Sequence, residues 1–165
     1  MTLVLARVDD RLIHGQVTVG WATHLKPDRL LLANNEIAAD AWQSEVYAAS
    51  VPREIEVSIL SLAEAAAFLK RTTDQEEKVL LLTASVGEMA HLAGMGVPFK
   101  RINLGGLHYS SGKKEMLPFI YLGPDDLPSL RQLLGRGIRL NAQQVPGGVE
   151  HLVDAAAVQR MEDLF

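Results

Sequence analysis

The stretch that decides the fold is LVLARVDDRLIHGQV, residues 3–17. Its first part is a continuous apolar run, which predicts a strand buried on both faces of a parallel sheet. A segment with helical spacing begins at Gly15 and continues to Leu25. His14 is therefore predicted in a strand-to-helix turn, where α/β proteins present ligand-binding groups. The free N–H groups and the positive dipole end of a helix N-terminus suit a phosphate at this turn.

Strand-like and helical segments continue to alternate along the chain. Further strands are predicted over residues 29–33, 55–60, 79–83, 101–104 and 138–142, and helical spacing recurs over 39–50, 63–71 and 86–93. Residues 116–122 are predicted to form an edge strand, and residues 149–163 a C-terminal helix. Repeated strand–helix units predict a single doubly wound α/β domain over residues 1–165, mainly parallel, with helices on both faces and an antiparallel edge strand.

The composition excludes several classes of protein. The chain has 165 residues, which suits one packed domain, and its net charge of −4 argues against general nucleic-acid binding. It has no cysteine, which rules out disulfides, thiolate catalysis and cysteine metal sites. No apolar run reaches the roughly 20 residues that span a bilayer, and a basic signal-peptide region is absent, so we expect a cytoplasmic protein. The sequence contains no GxGxxG, P-loop or GxSxG motif.

The residues around His14 suit phosphoryl transfer to an imidazole. Such a transfer needs a neutral ring nitrogen aimed at phosphorus and positive groups for the equatorial oxygens. Arg11 can curl back over the turn and bind the phosphate, and so can the backbone N–H groups of Gly15 and Gln16. Asp9 or Asp10 can orient Arg11 or the second ring nitrogen, and we assign the orienting role to Asp9. Arginine and amides replace a metal, so we expect no metal and no cofactor.

Two further polar regions have more than one interpretation. Ser85 follows the strand predicted to end near Thr83, on the same sheet edge as His14. Its hydroxyl is a candidate phosphate donor, although capping of the next helix is the favoured role. The glycine-rich loop over 105–114 contains His108 and Lys113. It either closes over the phosphate, contacts a partner protein, or is only a polar loop.

Four motifs resemble the IIB subunits of the mannose/fructose/sorbose family of sugar phosphotransferase systems. They are RVDDRLIHGQV at 7–17, ANNEIA at 33–38, NLGGLH at 103–108 and GIRL…QVP within 137–146. The resemblance implies that His14 accepts a phosphoryl group from a phosphohistidine of a IIA protein. It also implies that His14 passes this group to a sugar held by the membrane subunits IIC and IID, and that Arg11 binds the phosphate. The spacing leaves open which ring nitrogen is phosphorylated.

A carrier of this kind needs an accessible His14 on a convex surface, because the ring must enter a partner's site. We expect a moderately apolar surface around it with basic groups from Arg7, Arg11 and Lys113, and peripheral association with IIC and IID. The isolated chain is expected to bind sugar poorly, and a homodimer is left open. One alternative is a regulatory module that senses phosphate without passing it on. Another is a histidine phosphatase, which needs a second acid that only Asp9 or Asp10 can supply.

Overall fold

The computed structural model describes residues 1–71 and 75–165. Its strands are β1 (Thr2–Asp9), β2 (Arg29–Ala33), β3 (Glu56–Leu60), β4 (Lys78–Thr83), β5 (Arg101–Gly106), β6 (Lys114–Leu117), β7 (Ile120–Leu122), β8 (Arg139–Ala142) and β9 (His151–Leu152). A π-helix (Gln16–Trp21) leads into α1 (Ala22–Leu25), and the later helices are α2 (Asn35–Ala38), α3 (Ala41–Ala49), α4 (Leu62–Leu69), α5 (Val86–Gly94), α6 (Asp126–Gly135) and α7 (Ala155–Glu162). None of these helices is long and apolar enough to cross a membrane.

Seven of the described strands form one sheet in the order β3-β2-β4-β1-β5-β8-β9. Neighbouring strands are parallel except β9, which runs antiparallel to β8. From β1 the chain first builds one side of the sheet with β2, β3 and β4, and then the other side with β5 and β8. The predicted doubly wound, mainly parallel fold is confirmed. The turn after β1 lies at the carboxyl edge where this order reverses, the usual ligand position in such sheets.

The position predicted for the antiparallel edge strand is wrong. Within residues 116–122 the chain instead reverses, and β6 pairs with β7 in a separate two-stranded sheet. Pro118 and Phe119 fall in the turn between these strands. The hairpin is held near β5 because the Leu107 N–H donates to the Phe119 carbonyl and the Tyr121 N–H donates to the Leu107 carbonyl.

The real antiparallel edge strand is β9, which lies inside the segment predicted as a C-terminal helix. Its two residues pair with β8, so the helix begins later, at Ala155. Asp154 starts this helix because its side chain accepts a hydrogen bond from the Ala157 N–H at 2.9 Å. A strand of two residues is too short to show the alternation of a strand. Because the following residues have helical spacing, the whole segment was predicted as a helix.

Apolar side chains cover both faces of the sheet. Helices α4, α5, α6 and α7 pack on the face that carries Ala6 and Val8 of β1. The π-helix and α2 pack on the opposite face, where Val17 and Trp21 meet Leu30 and other leucines of β2 and β4. The prediction of helices on both faces is confirmed. This second core also contains Leu12 and Ile13, which tie the turn after β1 to the body of the molecule.

Candidate functional site

The turn after β1 has a strained backbone. Leu12 has a φ of 59°, in the left-handed region that a bulky residue rarely adopts. The turn is closed by the Leu12 N–H, which donates to the Asp9 carbonyl at 3.0 Å. The side chains of Leu12 and Ile13 are buried, with 6% and 5% exposed. Apolar burial of these two side chains compensates for the strain, and such strain is common at functional sites.

His14 is held by a carboxylate at one ring nitrogen. Its Nε2 lies 2.9 Å from Oδ2 of Asp9, and the side chain of His14 is 18% exposed whereas that of Asp9 is fully buried. An ionised carboxylate only accepts hydrogen bonds, so Nε2 carries the proton and donates. In the tautomer that donates from Nε2 to this carboxylate, the lone pair is on Nδ1 of His14.

Asp9 is held in turn by groups on both sides of it. Arg7 Nη2 donates to Asp9 Oδ2 at 3.1 Å, and the backbone N–H of Arg11 donates to Asp9 Oδ1 at 3.1 Å. A buried carboxylate is stable only when it is paired and hydrogen-bonded in this way. The arrangement fixes the position of the carboxylate that orients the His14 ring.

The expectation that Arg7 contributes to a basic surface is wrong, because Arg7 is fully buried. Its Nη1 donates to Oδ1 of Asn103 at 2.7 Å and to the Gln143 carbonyl, and its Nη2 donates to the Gln144 carbonyl, both at 3.0 Å. Its Cζ lies 5.4 Å from the centre of the Trp21 ring. Burial lowers the pKa of Arg7, and the neighbouring Asp9 opposes this shift.

Two glycines of β5 make room for these buried charged groups. A Cβ atom on Gly105 would lie only 1.9 Å from Cζ of Arg7. A Cβ atom on Gly106 would lie 3.2 Å from Oδ1 of Asp9. The two glycines of the NLGGLH motif are therefore explained sterically. Gly105 in particular leaves space for the Arg7 guanidinium.

The turn also contains Arg11, Gly15 and Gln16, the residues predicted to bind the phosphate. The side chain of Arg11 is 43% exposed, its Nε lies 3.9 Å from Asp9 Oδ1, and its Nη2 donates to Oε1 of Gln16 at 2.9 Å. The His14 carbonyl already accepts from Val17 and Thr18 at the start of the helix. The predicted phosphate-binding amides are those of Gly15 and Gln16, which precede these two residues.

Ser85 caps α5, the role that the sequence favoured. Its Oγ accepts from the Glu88 N–H at 3.1 Å, and its own N–H donates to Glu88 Oε2 at 3.2 Å. Glu88 also accepts from the Ala84 N–H and from Asn34 Nδ2, while its burial raises its pKa. The Ser-x-x-Glu spacing at 85–88 signals this capping box. Phosphate binding by the Ser85 hydroxyl stays a prediction.

The glycine-rich loop is attached to the turn through His108. Its backbone N–H donates to Asp10 Oδ2 at 2.7 Å, and its Nδ1 pairs with Asp10 Oδ1. These two residues are 98 positions apart, so no pattern in the sequence indicated the contact. Asp10 therefore holds the loop, whereas Asp9 holds His14.

Exposed apolar side chains flank the turn. Val19 of the π-helix is 71% exposed and Tyr109 of the glycine-rich loop is 67% exposed. The segment after β8 adds Val145 and Val149, and it lies beside the π-helix because the Gln144 carbonyl accepts from Nε1 of Trp21. We call Val19, Tyr109, Val145 and Val149 the apolar rim. Apolar side chains this exposed, on segments that adjoin the turn, suit contact with another protein.

Comparison with known proteins identifies the family of this α/β protein. The chain belongs to the sorbose subfamily of phosphotransferase-system IIB components, whose family model matches residues 3–162. It is 32% identical over 145 residues to the sorbose-specific EIIB component of Lacticaseibacillus casei, which covers 88% of each chain. The IIBSor domain of the Klebsiella pneumoniae sorbose permease superposes with a TM-score of 0.87 at 28% identity, over 97% of each chain.

The resemblance seen in the sequence motifs is thus confirmed. The protein is a IIB component of a sugar-transporting phosphotransferase system, and such components act as phosphotransferases. The mannose-specific EIIAB component of Escherichia coli (strain K12) is 28% identical over 145 residues, and the match covers 45% of that protein. As its name states, that protein combines a IIA with a IIB component.

Proposed function

We propose that the chain acts as a single IIB unit that carries a phosphoryl group on His14. It accepts this group from a phosphohistidine of a IIA protein and gives it to a sugar bound by the membrane subunits IIC and IID. The observation that carries the proposal is the hydrogen bond from His14 Nε2 to the buried Asp9, which leaves the other ring nitrogen ready to attack. The chain has no cysteine, so a thiolate acceptor is excluded.

The phosphoryl group is proposed to bind at Nδ1 of His14. The N–P bond of the donor breaks as the new bond to Nδ1 forms, and the donor ring leaves as a neutral imidazole. The His14 ring, with Nε2 still protonated, then gains positive charge. Asp9 stabilises this cationic ring, because its carboxylate already lies 2.9 Å from Nε2. When the group moves on to a sugar hydroxyl, the bond from Nδ1 to phosphorus breaks as an O–P bond forms, the hydroxyl proton is released to water, and the ring returns to its neutral state.

Arg11 is proposed to neutralise the phosphoryl oxygens during both steps. It is exposed enough to turn toward an incoming group, and its Nη2 donates to the neutral Gln16. The amides of Gly15 and Gln16 are proposed as further donors. Fixed positive groups at the place where negative charge is redistributed lower the barrier without a metal.

The apolar rim is proposed to contact the IIA and membrane partners in turn. A carrier needs interfaces that form and separate quickly, and a few exposed apolar side chains on segments near the reactive residue serve this need. The relatives are named for sorbose and for mannose, so these are candidate sugars for the complete system. We propose that the chain works in the cytoplasm at the membrane surface.

The proposal is tested by following the intact mass of the protein with phosphoenolpyruvate, the general phosphotransferase proteins and a phosphorylated IIA protein. We expect one acid-labile phosphoryl group on the wild type and none on His14→Gln. His108→Gln is the matched control, because His108 is a more exposed histidine in the loop attached to this turn, and this variant should be phosphorylated as the wild type is.

Membranes with IIC and IID and a candidate sugar should then remove the group from the wild type. Nitrogen–phosphorus couplings in the NMR spectrum identify which ring nitrogen carries phosphorus. A wild type that stays unmodified with several IIA donors contradicts the carrier function. A phosphorylated wild type that never transfers its group supports the phosphate-sensing alternative.

A further inference from the structure

One oxygen of the Asp9 carboxylate has two partners. Nε2 of His14 lies 2.9 Å from Oδ2 of Asp9, and Nη2 of Arg7 donates to the same Oδ2 at 3.1 Å. The other oxygen, Oδ1, accepts from the backbone N–H of Arg11. The reactive ring and the buried guanidinium are therefore joined through a single atom. The charge of Arg7 thus acts directly on the atom that binds the ring.

Arg7 is held beside this oxygen by further hydrogen bonds. Its Nη1 donates to Oδ1 of Asn103, and the guanidinium also donates to two backbone carbonyls that follow β8. The side chains of Arg7 and Asp9 are both fully buried. Because water is excluded from this pair, its two charges interact more strongly than exposed charges do. These bonds do not involve His14, so Arg7 stays with Asp9 whether or not the ring carries a phosphoryl group.

Protonation and phosphorylation have the same effect on the charge of the His14 ring. Nε2 already carries a proton, so either a proton or a phosphoryl group at Nδ1 makes the ring cationic. The two groups therefore compete for one lone pair. A carboxylate beside an imidazole stabilises the cationic ring. Asp9 with its full charge would thus strengthen the binding of a proton, which blocks the nucleophile, and would make the phosphoryl group slower to leave.

We propose that Arg7 balances the charge of Asp9 and so weakens the binding of both groups at Nδ1. Asp9 keeps the hydrogen bond that orients the ring, while the adjacent cation offsets its attraction for a cationic ring. The lone pair then stays free for the phosphoryl group, and this group passes on readily to the sugar. Arg7 is a positioning residue, because it acts through Asp9 and contacts neither the phosphoryl group nor the sugar. The inference rests on the proposed function, in which His14 carries the phosphoryl group.

The other charged groups at the turn do not replace Arg7. Nε of Arg11 lies 3.9 Å from Oδ1 of Asp9, but the side chain of Arg11 is 43% exposed, so water screens its charge. The carboxylate of Asp10 is bound to the backbone N–H and the ring of His108. Among the residues that the structure describes, Arg7 is therefore the buried cation that is paired with Asp9.

The first test is the equilibrium of the phosphoryl group between a phosphorylated IIA protein and the full chain, measured by intact mass. At about pH 9 a proton no longer competes for the ring, and Arg7→Met should shift this equilibrium about tenfold toward the phosphorylated chain. Arg7→Lys keeps a cation and should stay within about twofold of the wild type. Arg29→Met is the matched control, because Arg29 is 14% exposed and pairs with Glu56 and Glu77 at the opposite edge of the sheet. Its equilibrium should equal that of the wild type.

The second test is the pH dependence of the rate at which the chain accepts the phosphoryl group. The rate falls at low pH, because a proton then occupies Nδ1 of His14. In Arg7→Met the midpoint of this fall should move up by about one pH unit, which corresponds to tenfold tighter binding of the proton. Arg7→Lys and Arg29→Met should keep the midpoint of the wild type. An unchanged midpoint in Arg7→Met overturns the proposal.

The direction of the first shift separates charge balance from simple support. If Arg7 only held Asp9 in place, its loss would weaken the cationic ring and move the phosphoryl group back to IIA. A shift toward IIA, no shift, or an equal shift in Arg29→Met each overturns the proposal. A wild type that is not phosphorylated contradicts the proposed function and this role with it, whereas a phosphorylated wild type with no shift in Arg7→Met contradicts the role of Arg7 alone.

A second variant tests the same charge if Arg7→Met does not fold, as judged by its thermal transition. Asn103→Asp keeps the shape of the side chain and places a carboxylate at Nη1 of Arg7. The new negative charge offsets part of the cation, so the equilibrium should move about threefold toward the phosphorylated chain. An unchanged equilibrium in Asn103→Asp overturns the proposal.

Discussion

Arg7 and Arg11 lie on opposite sides of the same carboxylate and have opposite surroundings. Arg7 is fully buried and is bonded to Asp9, Asn103 and two backbone carbonyls. The side chain of Arg11 is 43% exposed and is bonded to Gln16. The inner arginine is part of the framework of the protein. The outer arginine is free to meet an incoming group.

This difference separates stability from reactivity within one short turn. A buried charge that loses its partner costs several kcal/mol, because it is left unpaired away from water. An exposed charge contributes little to stability, because water screens it. Changes on the inner side should therefore lower the free energy of unfolding, and changes on the outer side should lower the rate of phosphoryl transfer.

Replacing the inner arginine should have the largest effect. Arg7→Met removes the cation from the buried Asp9 carboxylate and leaves Asn103 without its donor. We expect the free energy of unfolding to fall by about 3–5 kcal/mol, measured by denaturant titration. Arg11→Met is the matched control and should change it by less than about 0.5 kcal/mol. Equal losses of unfolding free energy in the two variants would show that the difference in burial between these arginines does not affect stability.

Filling the space beside Arg7 should have the next largest effect. Gly105→Ala places a methyl group where the guanidinium lies, so the free energy of unfolding should fall by about 3 kcal/mol. Gly135→Ala is the control, because no atom lies within 4 Å of its added Cβ. In the double variant with Arg7→Ala the two losses should not add, because the clash is gone. Full additivity would contradict the steric role of Gly105.

Replacing the outer arginine should lower the rate of phosphoryl transfer and leave the stability of the protein unchanged. Arg11→Gln removes a positive group from the phosphoryl oxygens, so the rate of phosphoryl acceptance from IIA should fall about 100-fold. The free energy of unfolding should stay within about 0.5 kcal/mol of the wild type. Rapid-quench measurement of phosphoprotein gives the rate, and Arg11→Lys should recover part of it. A normal rate in Arg11→Gln would remove Arg11 from the proposed mechanism.

Weakening the attachment of the glycine-rich loop to the turn should have the smallest effect of these changes. His108→Ala removes the ring contact with Asp10 but keeps the bond from the backbone N–H of residue 108. This pair is partly exposed, so the free energy of unfolding should fall by less than about 1 kcal/mol. Hydrogen exchange should become faster in the loop over 107–113 and stay unchanged in β4. Unchanged exchange in the loop would show that the ring contact does not hold it.

Local features of the sequence were predictable, and contacts between distant residues were not. Strand β2 was predicted with its observed bounds, and capping was the favoured of the two roles predicted for Ser85. His14, Arg11 and Asp9 were selected as candidates because they belong to one short segment. The burial of Arg7 depends on Asn103 and Gln144, which lie 96 and 137 positions away. The alternation along β1 was the one available signal, because Ala6 and Val8 leave Arg7 on the opposite face.

The attachment of the glycine-rich loop to the turn could not be predicted from the sequence for the same reason. Asp10 and His108 carry no pattern that links them, and the contact forms only once β1 and β5 lie side by side. The separate β6–β7 hairpin was missed because its strands have only four and three residues. Short strands give too few side chains for their alternation to be recognised.

The long-range bonds of Arg7 also determine when during synthesis the site is complete. The Gln143 and Gln144 carbonyls that bind Arg7 lie 136 and 137 positions after it, so they leave the ribosome well after Asp9 and His14. Until then the carboxylate that orients His14 has no fixed cation. A nascent chain therefore exposes its histidine without the means to hold the ring, and we expect it to become a phosphoryl acceptor only after β8 has joined the sheet.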